Sequence, residues 1–116
     1  VEDEAIVRFY LKMTLSKING EVIDIKSAED ALILLSEDRD FDLLITDIKM
    51  QAIDGFGLID EIDKMGIKIP VVVESAYLSD DPRMNNYKDR VKAFIKKPID
   101  LNVLELIIKQ IEEDRV

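Results

Sequence analysis

Phe41-Asp42-Leu43-Leu44-Ile45-Thr46-Asp47, followed by Ile48-Lys49-Met50-Gln51-Ala52-Ile53-Asp54-Gly55, is an apolar run that ends on a carboxylate and breaks into a turn. An apolar run this short, bounded by turn residues, reads as a buried strand. In an open α/β sheet, ligands bind in the crevice outside the carboxyl ends of the strands, so Asp47 is delivered to a place where chemistry happens. Two other apolar segments end in the same way. Pro70-Val71-Val72-Val73-Glu74-Ser75 delivers a hydroxyl, and Val91-Lys92-Ala93-Phe94-Ile95-Lys96-Lys97-Pro98 delivers an ammonium followed by proline. Val1-Glu2-Asp3 adds two carboxylates at the amino end. Taken singly, a strand-end Asp is an ordinary turn former and an acidic pair is an ordinary solvated helix start. What distinguishes them is that each ends a different segment at the same edge.

Between these segments the period changes from strand to helix and back. Val7, Leu11, Leu15 and Ile18 share one face of a helix over 4–18, which Asn19-Gly20 is placed to stop. Val22 to Ile25 reads as a short strand. Ser27 then caps a second helix with Ala28, Ala31, Leu32 and Leu35 inward. Leu43 to Thr46 is the next strand, and Leu58, Ile59, Ile62 and Met65 form a third helical stripe that ends at Gly66. Val71 to Val73 is strand again. The segment from Ser79 to Arg90 is polar, with Pro82 tolerable only in a first turn, so a short or mobile helix is expected there. The strand Ala93 to Ile95 precedes a last helix from about Asp100, with Leu104, Ile107, Ile108 and Ile111 inward. Alternating strands and helices of these lengths imply one domain over residues 1–116, a parallel sheet covered on both faces.

Composition narrows the chemistry. With 116 residues, 47% of them hydrophobic, and only four glycines and three prolines, the chain can bury a core. Cysteine and histidine are both absent, which excludes thiol catalysis, disulfides and histidine- or cysteine-ligated metals. The net charge of −9 argues against direct nucleic-acid binding, which needs Lys/Arg stripes. No apolar run approaches the roughly 20 residues of a membrane helix, and no signal-peptide pattern opens the chain, so a cytoplasmic location without membrane contact is expected. Asp47 beside Glu2 and Asp3 gathers excess negative charge, which a divalent cation would relieve. All-oxygen donors suit Mg²⁺, with Mn²⁺ as the substitute. A neutralised Asp carboxylate can attack phosphorus, and the Lys97 ammonium and Ser75 hydroxyl can support the equatorial oxygens.

These residues, taken together over essentially the whole chain, resemble the receiver domains of two-component response regulators. Glu2-Asp3 is similar to the family's acidic pair, Asp47 with Asp54-Gly55 to its phosphoacceptor segment, Ser75-Ala76 to its hydroxyl-then-small step, and Lys97-Pro98 to its lysine-proline pair. The intervals of 44, 28 and 22 residues from Asp3 to Asp47, Ser75 and Lys97 are also like the family's. The resemblance implies a flavodoxin-like, five-stranded parallel sheet of order 2-1-3-4-5. It implies phosphorylation of Asp47 by a sensor histidine kinase or phosphotransfer protein, with Mg²⁺ on Asp3, Asp47 and the Lys49 backbone carbonyl, and Glu2 assisting through water. Lys97 and Ser75 would hold the phosphoryl oxygens. Ser75 and Phe94 would switch together, reshaping the face of the fourth helix, fifth strand and fifth helix for an effector or a second copy. Lys97-Pro98 would be cis.

The output on this reading is binding, not enzymatic turnover. One rival is a haloacid-dehalogenase-like phosphatase, but the acid-base Asp it needs two residues after the nucleophile is Lys49 here. The other is a pseudo-receiver that keeps the fold for protein contacts alone. Gln51, Glu2 and Asp89-Arg90 depart from the commoner family residues without removing a reactive group. The first strand is almost missing, since only Val1 precedes Glu2. Further apolar residues are therefore expected before Val1. Without them, the segments beginning at Val22 and Leu43 should lie apart, not hydrogen-bonded to each other.

Overall fold

The fold is described from a computed structural model, which covers residues 1–18, 20–76 and 81–114. Three parallel strands, β1 (Leu44–Asp47), β2 (Val71–Ser75) and β3 (Ala93–Lys96), pair in the order β1-β2-β3. Their register sets Asp47 beside Glu74 and Ser75 beside Lys96, so all three carboxyl ends finish at one edge. Around the sheet lie helices α1 (Ala5–Leu15), α2 (Ala28–Glu37), α3 (Gly55–Lys64), α4 (Met84–Tyr87) and α5 (Leu101–Asp114).

The alternation of side chains along β2 divides the core. Val71 and Val73 face one apolar cluster with Ala28, Ala31 and Leu35 of α2 and Phe56, Leu58, Ile59 and Ile62 of α3. Val72 faces the other, with Leu11 of α1, Ile95, and Leu104 and Ile111 of α5. The three valines are fully buried, each contributing about 1.5–3 kcal/mol. The sheet is thus covered on both faces, as the alternating periods predict.

Local signals fix the helix ends. The Ser27 hydroxyl accepts the Asp30 N–H at 3.1 Å, and the Asp54 carboxylate accepts the Gly57 N–H at 2.8 Å. Gly66 takes the left-handed conformation, φ 74°, that ends the α3 turn. In the polar stretch, α4 is only four residues long, as its weak apolar pattern implied. Its predicted start at Ser79, like the stop signal at Asn19, lies outside the described residues. Three contacts tie this stretch to α3: Arg83 with Asp54 at 2.7 Å, the Tyr87 hydroxyl with Asp60 at 2.9 Å, and Arg90 with Asp63 at 2.9 Å. The Tyr87 ring also stacks on Phe56.

One expectation needs correction. Val22 to Ile25, read as a strand from the sequence, joins no ladder, so three strands are paired among the described residues. The reason is the neighbour it would pair with. Between Ile25 and β1 lie only Val1 and Glu2: the Glu2 N–H donates to the Ile25 carbonyl at 2.9 Å, and the Asp47 N–H to the Val1 carbonyl at 3.1 Å. The Val1 amino group donates to the Ile45 carbonyl at 2.5 Å. In space the order is therefore the 22–25 segment, Val1-Glu2, β1, β2, β3, the predicted 2-1-3-4-5. A cavity of about 610 Å³, walled by Leu11, Leu15, Val22, Leu35, Leu43 and Ile45 among others, separates the 22–25 segment from β1 beyond those two residues. The two flanking segments lie apart, as expected.

Candidate functional site

Val1-Glu2 brings the acidic pair to the sheet edge where Asp47 ends β1. The Glu2 carboxylate is only 1% exposed. One of its oxygens accepts the Glu4 N–H at 3.1 Å; the other accepts the Lys97 ammonium at 2.5 Å. Arg8 of α1 secures the backbone by donating to the Glu2 carbonyl at 2.9 Å. Asp47, also buried, is held from two sides: Oδ1 accepts the Ile48 N–H at 2.7 Å and Oδ2 accepts Lys97 Nζ at 2.9 Å. Lys97 thus bridges two carboxylates 45 residues apart in the sequence.

Asp3 lies on the more open side. One carboxylate oxygen from each of Glu2, Asp3 and Asp47 falls within 4.8 Å of the others. Three hard oxygen donors that close, with a single side-chain ammonium bonded among them, fit a small hard divalent cation. Lys49 is exposed in the loop just after Asp47. Ser75 is buried at the end of β2, and its carbonyl accepts the Lys97 N–H at 3.0 Å. The Lys97–Pro98 bond is cis. Phe94, one residue before Ile95, is half-buried against the α2–α3 cluster. Of the sequence-predicted residues, Glu2, Asp3, Asp47 and Lys97 are brought into one cluster, Ser75 borders it, and Phe94 sits on the far face of β3.

Burial and pairing pull the charges in opposite directions. Burial lifts the Glu2 carboxyl, against the lowering effect of its Lys97 hydrogen bond. Burial alone would lower Lys97, but its hydrogen bonds to Glu2 and Asp47 outweigh this and hold the ammonium above its ordinary value.

Sequence reasoning passed over Glu74. It reads as the last apolar-run position before Ser75, yet the register makes it the strand neighbour of Asp47. Its side chain is 1% exposed and, among the described residues, neither carboxylate oxygen has a hydrogen-bond partner. Burial raises its pKa from 4.5 to about 7, with Lys97 opposing the rise and Glu2 and Asp47 adding to it. The signal was in the sequence: an acid directly after three valines predicted to be core.

A second geometric constraint lies at Gly55, the first residue of α3. Its N–H donates to the Ile48 carbonyl at 2.8 Å, closing the loop after Asp47. A Cβ there would sit 2.1 Å from the Asp47 carbonyl oxygen.

The profile of the response regulator receiver domain family matches residues 1–109. This chain belongs to that family. The receiver domain is 29% identical over 108 residues to the response regulator protein PilR of Pseudomonas aeruginosa, covering 93% of this chain and 24% of the relative. It is 28% identical over 111 residues to a probable transcriptional regulator of Porphyra purpurea, covering 96% and 45%. The receiver domain therefore spans a quarter to under a half of these relatives. Among solved structures, FixJ-N superposes with a TM-score of 0.84 at 29% identity, over 97% of this chain and 90% of the other. A receiver domain from Clostridium thermocellum superposes at 0.87 and 23% identity, over 98% and 91%, which speaks for the fold alone. The flavodoxin-like architecture and a place in two-component signalling are thus those of the family, and the haloacid-dehalogenase-like rival is set aside. Among the described residues no helix is long and apolar enough to cross a membrane.

Proposed function

We propose that this receiver domain, in the cytoplasm, accepts a phosphoryl group on Asp47 from the phosphohistidine of a sensor kinase or phosphotransfer protein. The observation that carries the reading is Lys97 bonded to both Asp47 and Glu2, with Asp3 in the same cluster. An Asp47 oxygen attacks phosphorus, the bond from phosphorus to the donor imidazole nitrogen breaks, and the imidazole leaves. The Ile48 N–H keeps Asp47 oriented throughout. Lys97 exchanges its carboxylate contacts for phosphoryl oxygens, and the Ser75 hydroxyl supports another. Asp3 and Asp47 with the Lys49 carbonyl would hold Mg²⁺ or Mn²⁺, Glu2 assisting through water. Such an ion neutralises the carboxylates and the charge on the phosphoryl oxygens.

Surface features support the partner assignments. Ile6, Phe9, Tyr10 and Met13 follow one another at helical spacing on α1 and all are exposed, Ile6 at 85% and Phe9 at 67%. An apolar stripe of this kind, on the helix that begins just after the acidic pair, suits a docking phosphodonor protein. Val103 and Leu106 are exposed on α5, in keeping with an effector or a second copy bound through α4, β3 and α5. Inward movement of Ser75 would let Phe94 repack and change that face.

Incubation with Mg²⁺ and acetyl phosphate should add one phosphoryl group per chain, retained long enough for intact-mass detection. No adduct would favour the pseudo-receiver; rapid release of inorganic phosphate over many cycles would favour an enzyme. Asp3→Ala should weaken the Mg²⁺ requirement's midpoint by about tenfold or more, since a charged ligand is lost. An unchanged metal titration in that variant would move the cation elsewhere.

A further inference from the structure

Glu74 has no part in the chemistry just described. It is almost fully buried, and its two oxygens touch no donor among the described residues. A buried carboxylate in that condition is normally removed by selection for stability or retained for its charge. Its position favours the second explanation. It is the direct strand neighbour of Asp47, and the side-chain charges whose fields reach it are those of the site: Lys97, Glu2 and Asp47. Lys97 is already divided between Glu2 and Asp47, so Glu74 adds negative potential beneath the pocket without a cation of its own.

We propose that Glu74 is the buried charge that sets how tightly this acidic pocket holds its divalent cation, acting through the field at Asp47 and Lys97 and not as a ligand. A buried negative charge in a weakly screened interior favours the arrival of a dication and disfavours the arrival of a phosphoryl dianion. The same residue therefore has opposite effects on the two steps. It tightens metal binding, and it opposes the phosphorylated state. A residue that merely filled space would show neither pattern.

The proposal rests on the phosphoacceptor reading only for its second half, and the test keeps the two apart. Mn²⁺ binding to the whole chain is followed by electron paramagnetic resonance at pH 8, without any phosphodonor. Wild type, Glu74→Gln, Glu74→Val and Glu74→Asp are compared, each checked for folding by circular dichroism. Gln and Val should each weaken Mn²⁺ binding by about tenfold. Asp, which keeps the charge while shortening the side chain, should stay within about threefold of wild type. Labelling by acetyl phosphate at saturating metal should then be several-fold faster in Gln and Val than in wild type, and an unchanged rate would overturn the second half of the proposal. Unchanged Mn²⁺ binding in folded Glu74→Gln would overturn the proposal. So would an Asp variant as weak as Val, because packing and not charge would then be responsible. Failure of labelling in every variant, wild type included, would instead count against Asp47 as phosphoacceptor and leave the metal result standing.

Discussion

Gly55→Ala is expected to lower stability by about 3 kcal/mol, the upper part of the range for overpacking a closed site, and to lower the melting temperature by about 10 °C. The added methyl would come to 2.1 Å from the Asp47 carbonyl oxygen and 3.1 Å from the Ile48 Cα. Both are backbone atoms, so no flexible side chain can swing away. Either α3 moves back from the sheet, exposing Phe56 and Leu58, or the end of β1 moves. The second response displaces the Ile48 N–H that orients Asp47, so phosphoryl labelling should fall more than the loss of folded protein explains. Thermal melting and labelling measured side by side check this. A variant with wild-type melting would show that the contact is relieved without cost.

The second large effect concerns Glu74 and pH. Its folded pKa of about 7 lies above the ordinary 4.5, so the folded chain binds the extra proton between those values. Stability then falls as pH rises through that window, because the unfolded chain releases the proton more readily. Above pH 7 the buried anion costs about 3 kcal/mol, and below 4.5 the cost is absent. Glu74→Gln removes the titration. The variant should therefore be more stable than wild type by up to about 3 kcal/mol at pH 8, by less at pH 6, and by little at pH 4.5. Urea denaturation of both proteins at the three pH values measures the difference. A stability gain that does not change with pH would mean that Glu74 stays protonated throughout, or pairs with Lys97 well enough to lose its penalty.

Asp47, Ser75 and Lys97 were legible in the sequence because each ends an apolar run, and parallel strands bring such ends to one edge. Glu2 and Asp3 are unremarkable as an acidic pair at a helix start, and became legible as chemistry once grouped with Asp47, where the excess negative charge calls for a cation. The core stripes of α2 and α3 followed from helical spacing, with Ala28, Leu35, Leu58 and Ile62 buried as expected. What pattern could not supply was pairing. Val22 to Ile25 has the residues of a strand, but a ladder needs a partner along its length, and Val1-Glu2 offers the Ile25 carbonyl a single bond. Glu74 was missed for a related reason. An acid directly after three core valines was a visible sign of an unusual buried group, but its place beside Asp47 comes from the cross-strand register, which local sequence does not encode. The acid comb of Asp54, Asp60 and Asp63 that holds Arg83, Tyr87 and Arg90 is likewise visible only once α3 and α4 are side by side.

The central claim is that Asp47 is the group phosphorylated. It is tested most directly by treating wild type and Asp47→Asn with Mg²⁺ and acetyl phosphate and weighing both intact proteins by mass spectrometry. Asn keeps the size of the side chain and can still accept from the Ile48 N–H, but it lacks the nucleophilic carboxylate oxygen. Wild type should gain one phosphoryl group and Asp47→Asn none; equal labelling of the two would contradict the account.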